Sequence, residues 1–340
     1  MFAAKVKLHD AETVKTYLLK HNLLHPDFSP LKEFDYLFFP LNKKAKVPHA
    51  EVATTHVHFP SKRKPMRIED LLQGTLSQKQ LKLLPKSQEI VGNILILEVP
   101  EEFLDKEKAI AEAYLKLHPH VTTVVKKDQM HEGVFRTRKV KILAGRKTKE
   151  TIHMESGVKI QLHLEKTYFS ARTANERLRV AKLVKPGEEI LVMFSGAGPF
   201  PLVLAKHSLA KKIWGIELNT FAHAYALNNI EMNNFQDKIE LYAGDVRVHL
   251  PKIKKKFDRV LLPLPKTSDE FLDVALPRVK KGGIVHLYRF LDEQDVAQEV
   301  KKVKAICAGL GHPVTIIRKV KCGQFSPGRF RYCFDMKVLK

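Results

Sequence analysis

Over 340 residues, lysine and arginine outnumber aspartate and glutamate by 22, and the isoelectric point is near 9.7. The hydrophobic share of 44% beside 28% charged residues describes a globular chain with apolar mass for real cores, and the length suggests two or three domains. No apolar run of about 18 residues is present, which excludes a helical membrane span. Charge enters "MFAAKVKLHDAETVK" too early for a secretory signal, and Cys307, Cys322 and Cys333 make neither a disulfide framework nor a metal-type pairing, so a reducing cytoplasm is expected.

The basic excess recurs along the chain, in "SKRK" at 61–64, "RTRKVK" at 136–141, "GRKTK" at 145–149, "KIKKK" at 252–256 and "RKVK" at 318–321. Such a spread predicts a broad surface that attracts a polyanion, nucleic acid before others. Residues 1–60 read as a small α+β domain. "DAETVKTYLLKHNLL" has helical spacing with Asp10 as its N-cap, and "YLFFPL" is a strand ending at Pro40. "PSKRKP" reads as a linker. A second α+β domain over 61–165 follows, with helices "RIEDLLQGTL" and "KEKAIAEAYLKLH" around strands "GNILILEV" and "HVTTVVKK". "TIHMESGVKIQLHLEKTYFS" is expected to form a hairpin turning at Ser156-Gly157.

From residue 166 to 340 the rhythm alternates. "EEILVMF", "KKIWGIEL", "KIELYAGD", "DRVLLPL" and "GGIVHLYRF" are strand-like, separated by helical segments such as "FAHAYALNNIEMNN". Alternation of this kind predicts an α/β domain with a parallel sheet and helices on both faces. "TIIRKVKCG" and "FRYCFDMKV" are expected to add antiparallel strands at one edge.

"MFSGAGPF" follows the first of those strands, where a doubly wound sheet binds its ligand. Gly196 and Gly198 let the backbone turn and approach a ligand closely. Glu217 ends the next strand and is placed for ribose hydroxyls, and Asp245 ends the third, placed for an adenine amino group. A dinucleotide fingerprint wants a third glycine so that a helix N-terminus can approach a pyrophosphate. "GAGPFP" carries prolines instead, which favours S-adenosylmethionine, a nucleoside without phosphate, over NAD. His56 and His58 alternate in "TTHVHF", but no further ligand pattern supports a metal.

Taken together, "YFSARTANERLRVAKLV", "MFSGAGPF", "LPLPKTSDEFLDVAL", "GGIVHLY" and the upstream "GVFRTRKVKILAG" resemble the Rossmann-type tRNA guanine-37 N1-methyltransferases, with the wybutosine-pathway aminocarboxypropyltransferases as a sister family. The resemblance covers nearly the whole chain. It implies a C-terminal class I Rossmann-like methyltransferase domain preceded by two smaller α+β domains, the first gripping the tRNA elbow, in a monomeric cytoplasmic enzyme. It places S-adenosylmethionine against Tyr168, Phe194, Gly196, Gly198, Pro199, Phe200, Glu217, Asp245 and Val246. It assigns Glu176 as the base for the N1 proton and Arg136 to O6. Arg138, Arg172, Arg177 and Lys266 fall on the tRNA side, with Arg172 and Arg177, in the same segment as Glu176, expected to hold phosphates or to orient that carboxylate.

Two positions depart from the family. Val192 stands where an aspartate is usual before "MF-x-G". Pro263-Leu264-Pro265 replaces Asn-Leu-Pro, so the side chain that hydrogen-bonds the guanine is missing, and Leu264 backbone groups or a neighbouring side chain are expected to substitute. Aminocarboxypropyl transfer to a wybutosine precursor, and a catalytically impaired tRNA-binding homologue, are the alternatives.

Overall fold

The computed structural model describes residues 1–62, 66–84, 88–132 and 137–340. These fall into two units, Met1–Gln73 and Gly74–Lys340. In the first, strands β1 (Phe2–Lys7), β2 (Leu31–Glu33), β3 (Tyr36–Leu41) and β4 (Glu51–Thr54) form an antiparallel sheet in the order β2-β3-β1-β4. Helix α1 (Ala11–Lys20) buries Val14 and Leu18 in one core with Ala4, Val6, Phe39 and Leu41. Asp10 stands at the N-cap position of α1, but its side chain caps nothing. A 3-10 turn over Leu8–Asp10 already gives Asp10 a helical backbone, and its carboxylate pairs with His9 Nε2 at 2.9 Å. A short helix, α2 (Ile68–Leu71), completes this unit.

The second unit opens with α3 (Gln78–Leu83), whose Ser77–Gln80 capping box closes its N-terminus. A four-stranded sheet follows, β5 (Gln88–Val91), β6 (Ile94–Leu97), β7 (Thr123–Glu132) and β8 (Thr137–Gly145), with α4 (Glu107–Leu117) contributing buried Ile110, Ala111 and Tyr114. Strands β9 (Glu150–Glu155) and β10 (Val158–His163) make the expected hairpin. Ser156 and Gly157 both have positive φ (47° and 73°), the type I′ geometry that matches strand twist. The outer edge of β10 is satisfied by side chains: Asn229 and Asn233 exchange hydrogen bonds with the backbones of Gln161 and Lys159 at 2.7–2.9 Å.

Seven strands then form one sheet in the order β13-β12-β11-β14-β15-β17-β16. They are β11 (Glu189–Met193), β12 (Lys212–Glu217), β13 (Ile239–Ala243), β14 (Phe257–Leu262), β15 (Val279–Asp292), β16 (Val314–Ser326) and β17 (Arg329–Val338). The first five are parallel, and the tail hairpin β16–β17 is antiparallel, as its sequence suggests. Helices α5 (Ala174–Lys182), α6 (Pro199–His207), α7 (Thr220–Met232), α8 (Val246–His249), α9 (Leu272–Ala275) and α10 (Val296–Gly309) lie between and beside the strands. Alternation along β11 explains the two layers. Ile190 and Val192 enter a core with Val180, Leu202 and Val203, while Leu191 and Met193 enter another with Leu272, Val303 and Cys307. Strand order reverses between β11 and β14, and the ends of these two strands position the site.

Candidate active site

The loop after β11 is bent by positive φ at Phe194 (57°), Gly196 (58°) and Gly198 (84°). Gly196 earns its place by φ and by openness, because a Cβ there meets nothing closer than the Tyr168 carbonyl at 3.8 Å. Gly198 is buried and turned elsewhere. A Cβ on it would make only ordinary contact with Ala226 at 3.5 Å, so it is the left-handed φ of 84° that calls for glycine there. Pro199 then starts α6, where a missing N–H costs nothing.

Glu217 holds this loop. Its Oε2 accepts from Gly196 N at 2.7 Å and its Oε1 from Asn219 N at 2.8 Å. Burial pushes its carboxyl above the ordinary glutamate range, against the pull of those backbone hydrogen bonds. Asn229 Nδ2 donates to the Ala197 carbonyl at 2.9 Å, and Ser195 N donates to Ile216 O at 3.0 Å. These ties keep the loop in place although Val192 is apolar and fully buried.

A cavity opens beside the loop, lined by Tyr168, Glu176, Arg177, Phe194, Gly196, Pro199, Phe200 and Pro263 among the residues singled out in the sequence, and also by Ser195, Pro265, Tyr288 and Arg331. The Ser195 hydroxyl is buried and has no hydrogen-bond partner among the described residues. An orphaned hydroxyl, an open glycine and apolar walls from Phe194 and Phe200 suit a nucleoside cofactor without phosphate.

Glu176 is only 4% exposed. Its Oε2 accepts from Arg179 Nε at 2.7 Å, and its Oε1 accepts from Arg179 Nη2 at 2.8 Å and from the Tyr288 hydroxyl at 2.7 Å. Arg179 reaches on to Asp335, whose Oδ1 is 2.6 Å from His286 Nδ1. His286 Nε2 lies 2.7 Å from Arg259 Nη1. A guanidinium can only donate, so Nε2 accepts and Nδ1 carries the proton given to Asp335. Burial accordingly lowers the His286 pKa. Burial would raise Asp335, but hydrogen bonds from His286 and Arg179 outweigh it and hold the carboxylate well below its usual range. Tyr288 is driven well above its ordinary value, by burial first and then by the charges around it. His286, Cys333 and Asp335 offer ligand atoms within 4.8 Å of one another, yet His286 and Asp335 already accept from Arg259 and Arg179.

Other expected residues fall differently. Arg177 is 3% exposed: it forks onto Glu155, donates to Thr173 Oγ1 at 2.5 Å and Ser170 O at 3.1 Å, and stacks on Phe169. Arg138 is 6% exposed, spent on Glu89 at 3.1 Å and the Phe169 carbonyl at 3.1 Å. Both are buried and paired with a carboxylate, so both brace the protein from within rather than face RNA. Arg172 and Lys266 are exposed. Asp245 spends Oδ1 capping α8, accepting from Arg247 N at 2.8 Å and leaving Oδ2, while Val246 is core. Leu264 does not line the cavity, and its amide is used on Leu262 O at 2.8 Å, so that N–H is not free to replace the missing asparagine. Arg136 lies outside the described residues.

Comparison with known proteins follows the same layout. Residues 151–316 match the TRM5/TYW2 methyltransferase domain, 68–148 the TYW2 N-terminal domain, and 3–49 the tRNA methyltransferase 5 N-terminal domain. The tRNA (guanine(37)-N(1))-methyltransferase Trm5b of Pyrococcus abyssi is 32% identical over 99% of this chain and 98% of its own. The chain belongs to the TRM5/TYW2 methyltransferase family. The crystal structure of P. abyssi Trm5b gives a TM-score of 0.76 at 30% identity, with both chains fully covered. A complex of aTrm5 with tRNALeu gives 0.70 at 25% identity, covering 99% of this chain and all of the other. On the TYW2 side, P. horikoshii TYW2 in complex with MeSAdo gives 0.69 at 29% identity, covering 80% of this chain and 98% of the other. The family resemblance and the α/β class expected from the motifs are thereby confirmed. No helix among the described residues is long and apolar enough to cross a membrane.

Within this TRM5/TYW2 fold, Tyr288, Arg179, Asp335 and His286 were not legible as a group. Arg179 lies on α5, His286 and Tyr288 on β15 and Asp335 on β17, and the Glu176–Asp335 link through Arg179 joins a helix start to the last strand. The arginine of the "NER" motif is Arg177, whereas the one that clamps Glu176 is Arg179, three residues on from it.

Proposed function

We propose that this protein transfers a methyl group from S-adenosylmethionine to N1 of guanosine 37 in tRNA, acting as a monomer. The observation that carries the reading is the placement of Glu176, a buried carboxylate, on the wall of the cavity that the glycine loop borders. The full-length likeness to P. abyssi Trm5b supports it. Part of the same reading is a three-part division, with 1–60 on the tRNA elbow, 61–165 between, and 166–340 catalytic. The order of the three family matches supports three parts, with the methyltransferase match beginning at residue 151 and so taking in the β9–β10 hairpin.

In this reading Phe194, Gly196, Pro199, Phe200, Tyr168 and Glu217 hold the cofactor, with Oδ2 of Asp245 toward the adenine. The bound cofactor supplies an electrophilic methyl group on a sulfonium. Guanine N1 bears a proton, so its in-plane lone pair is freed only as a base removes it. Glu176 takes that proton. Arg179 and Tyr288 fix both of its oxygens, so the acceptor orbitals keep one direction. Negative charge gathers on O6 as the proton leaves, and the family resemblance assigns its stabilisation to Arg136. Exposed Arg172 and Lys266 meet phosphates.

A second reading, aminocarboxypropyl transfer at position 37, is favoured by the match of 68–148 to the TYW2 N-terminal domain and by Pro263. Mass spectrometry of nucleosides from tRNA incubated with enzyme and cofactor separates them. The expected product is heavier by one methyl group and disappears when guanosine 37 is changed to adenosine. An aminocarboxypropyl adduct selects the second reading, and no adduct on any tRNA leaves binding alone.

A further inference from the structure

The tail hairpin β16–β17 carries six cations, Arg318, Lys319, Lys321, Arg329, Arg331 and Lys337, against one acid, the buried Asp335. At its far end Phe325 is 51% exposed, a large apolar ring left in water. The ring is not loose. It stacks on Phe290 with centroids 4.0 Å apart and planes 28° apart. Phe290 is 8% exposed and its N–H donates to the Pro265 carbonyl at 3.1 Å, which ties it to the cavity wall. The Arg331 guanidinium lies 5.4 Å from the Phe290 ring centroid, lines the cavity, and donates to the Tyr168 hydroxyl at 3.4 Å. A ladder of planar groups thus runs from Tyr168 at the cofactor cavity, through Arg331 and Phe290, to a solvent-facing Phe325. Arg172, exposed, stands next to the hairpin: a Cβ on Gly323 would lie 4.0 Å from its carbonyl.

Lys321 of the hairpin pairs with Glu293 at 3.0 Å. An exposed aromatic ring in a cationic setting is how proteins hold single-stranded nucleic acid, because every base has a face to stack and every nucleotide a phosphate to pair. A base that enters a cavity for chemistry leaves its neighbours without a stacking partner. From this geometry we infer that Phe325 is the stacking surface for the base adjoining the target nucleotide, so that the tail hairpin grips the RNA strand at the cavity mouth. The inference rests on the tRNA reading above and goes beyond it by assigning a residue, a partner surface and a mode of contact.

The test uses the full chain and a tRNA transcript carrying 2-aminopurine at nucleotide 36 or 38 in turn. Binding to the wild type should quench or shift the fluorescence of one of the two. Phe325→Ala should abolish that change and weaken tRNA binding about 5- to 150-fold, the range measured for loss of one base–aromatic stack. Phe325→Tyr should restore both, and Phe325→Leu, apolar but without a face, should behave like alanine. Affinity for S-adenosylmethionine, measured on each variant, should stay unchanged and certifies the fold. Unchanged tRNA affinity in Phe325→Ala, or a leucine variant equal to wild type, overturns the inference while leaving methyl transfer intact. A wild type that neither binds nor modifies tRNA overturns the functional reading, and the inference with it.

Discussion

Arg179 stands between two buried carboxylates. It holds Glu176 through Nε and Nη2 at 2.7 and 2.8 Å, and Asp335 through Nη1 and Nη2 at 2.8 and 3.1 Å. Glu176 is 4% exposed and Asp335 1%. Each carboxylate alone would be costly to bury, and one planar fork serves both.

Removing that fork should therefore cost stability and turnover together. Arg179→Met leaves two buried acids facing each other without a counter-charge, an expected loss of about 3–5 kcal/mol in chemical denaturation. Arg179→Lys keeps the charge but loses the fork, because an ammonium is a point donor. Its expected signature is a fall in kcat with little change in cofactor affinity, since Glu176 loses its fixed direction. Glu176→Gln sets the scale, with a fall of about 10²–10⁴-fold in turnover. An Arg179→Lys enzyme with full kcat would show that Glu176 does not need the clamp.

How much of this was visible beforehand divides along a physical line. Parallel strands, the glycine loop, the Ser156-Gly157 turn and the edge hairpin are written in local patterns of apolar spacing and backbone demand, and the structure carries each of them. Glu217 is legible as a strand-end acid, while its hold on the glycine loop through Gly196 N shows only in the structure. Asp335 is not legible, since a lone aspartate in an apolar strand looks the same whether it is solvated or buried. Arg138 and Arg177 show the reverse failure. Sequence charge alone does not say that a guanidinium is spent on Glu89 or Glu155.

Cofactor binding should depend on pH through Glu217. Burial raises its carboxyl above the ordinary glutamate value, against its hydrogen bonds from Asn219 and Gly196. The ionised form is the one that accepts from Gly196 N and from ribose hydroxyls. Affinity for S-adenosylmethionine should thus weaken on acidification, starting above the range in which an ordinary glutamate titrates. Calorimetry across mildly acidic pH checks this, and Glu217→Gln should bind more weakly at neutral pH with a flatter profile. A wild-type affinity that is flat down to the ordinary glutamate range would remove Glu217 from the binding step.

His286 gives a separate pH signature, in stability. Its folded pKa is lowered from the ordinary 6.5 by burial, with Arg259 and Arg179 pulling the same way and Asp335 opposing. Between the lowered folded value and 6.5 the unfolded chain binds the proton and the folded chain does not. Stability therefore falls as pH drops through that window, by at most about 1.4 kcal/mol per pH unit for one proton. Asp335 works at a different pH, its folded value being depressed, so its contribution is present above the unfolded value and lost only in stronger acid. His286→Gln should lower stability at pH 7.5 yet shrink the slope between neutral and mildly acidic pH by about one proton. Urea midpoints at several pH values read both, and an unaltered slope would mean that His286 is not the titrating group.

Pro263 decides how closely the reaction follows its relatives. It and Pro265 form part of the cavity wall, directly after β14, and Leu264 between them spends its N–H on the Leu262 carbonyl. No backbone donor of Leu264 is left to stand in for an asparagine carboxamide, and a proline ring offers none of its own. If the substrate is still guanine N1, its orientation rests on Glu176 and on side chains elsewhere around the cavity. Pro263→Asn adds a donor and an acceptor to that wall and restores an N–H. The loss of a fixed φ should cost no more than about 1 kcal/mol of stability. Methyl transfer to guanosine 37 should then be unchanged or faster, with any gain appearing as a lower KM for tRNA, because the amide adds a contact to the base before the proton moves. A variant that stays folded and binds S-adenosylmethionine normally but loses methyl transfer would show that the proline wall itself shapes the substrate, and would shift weight to a bulkier, wybutosine-type base at position 37.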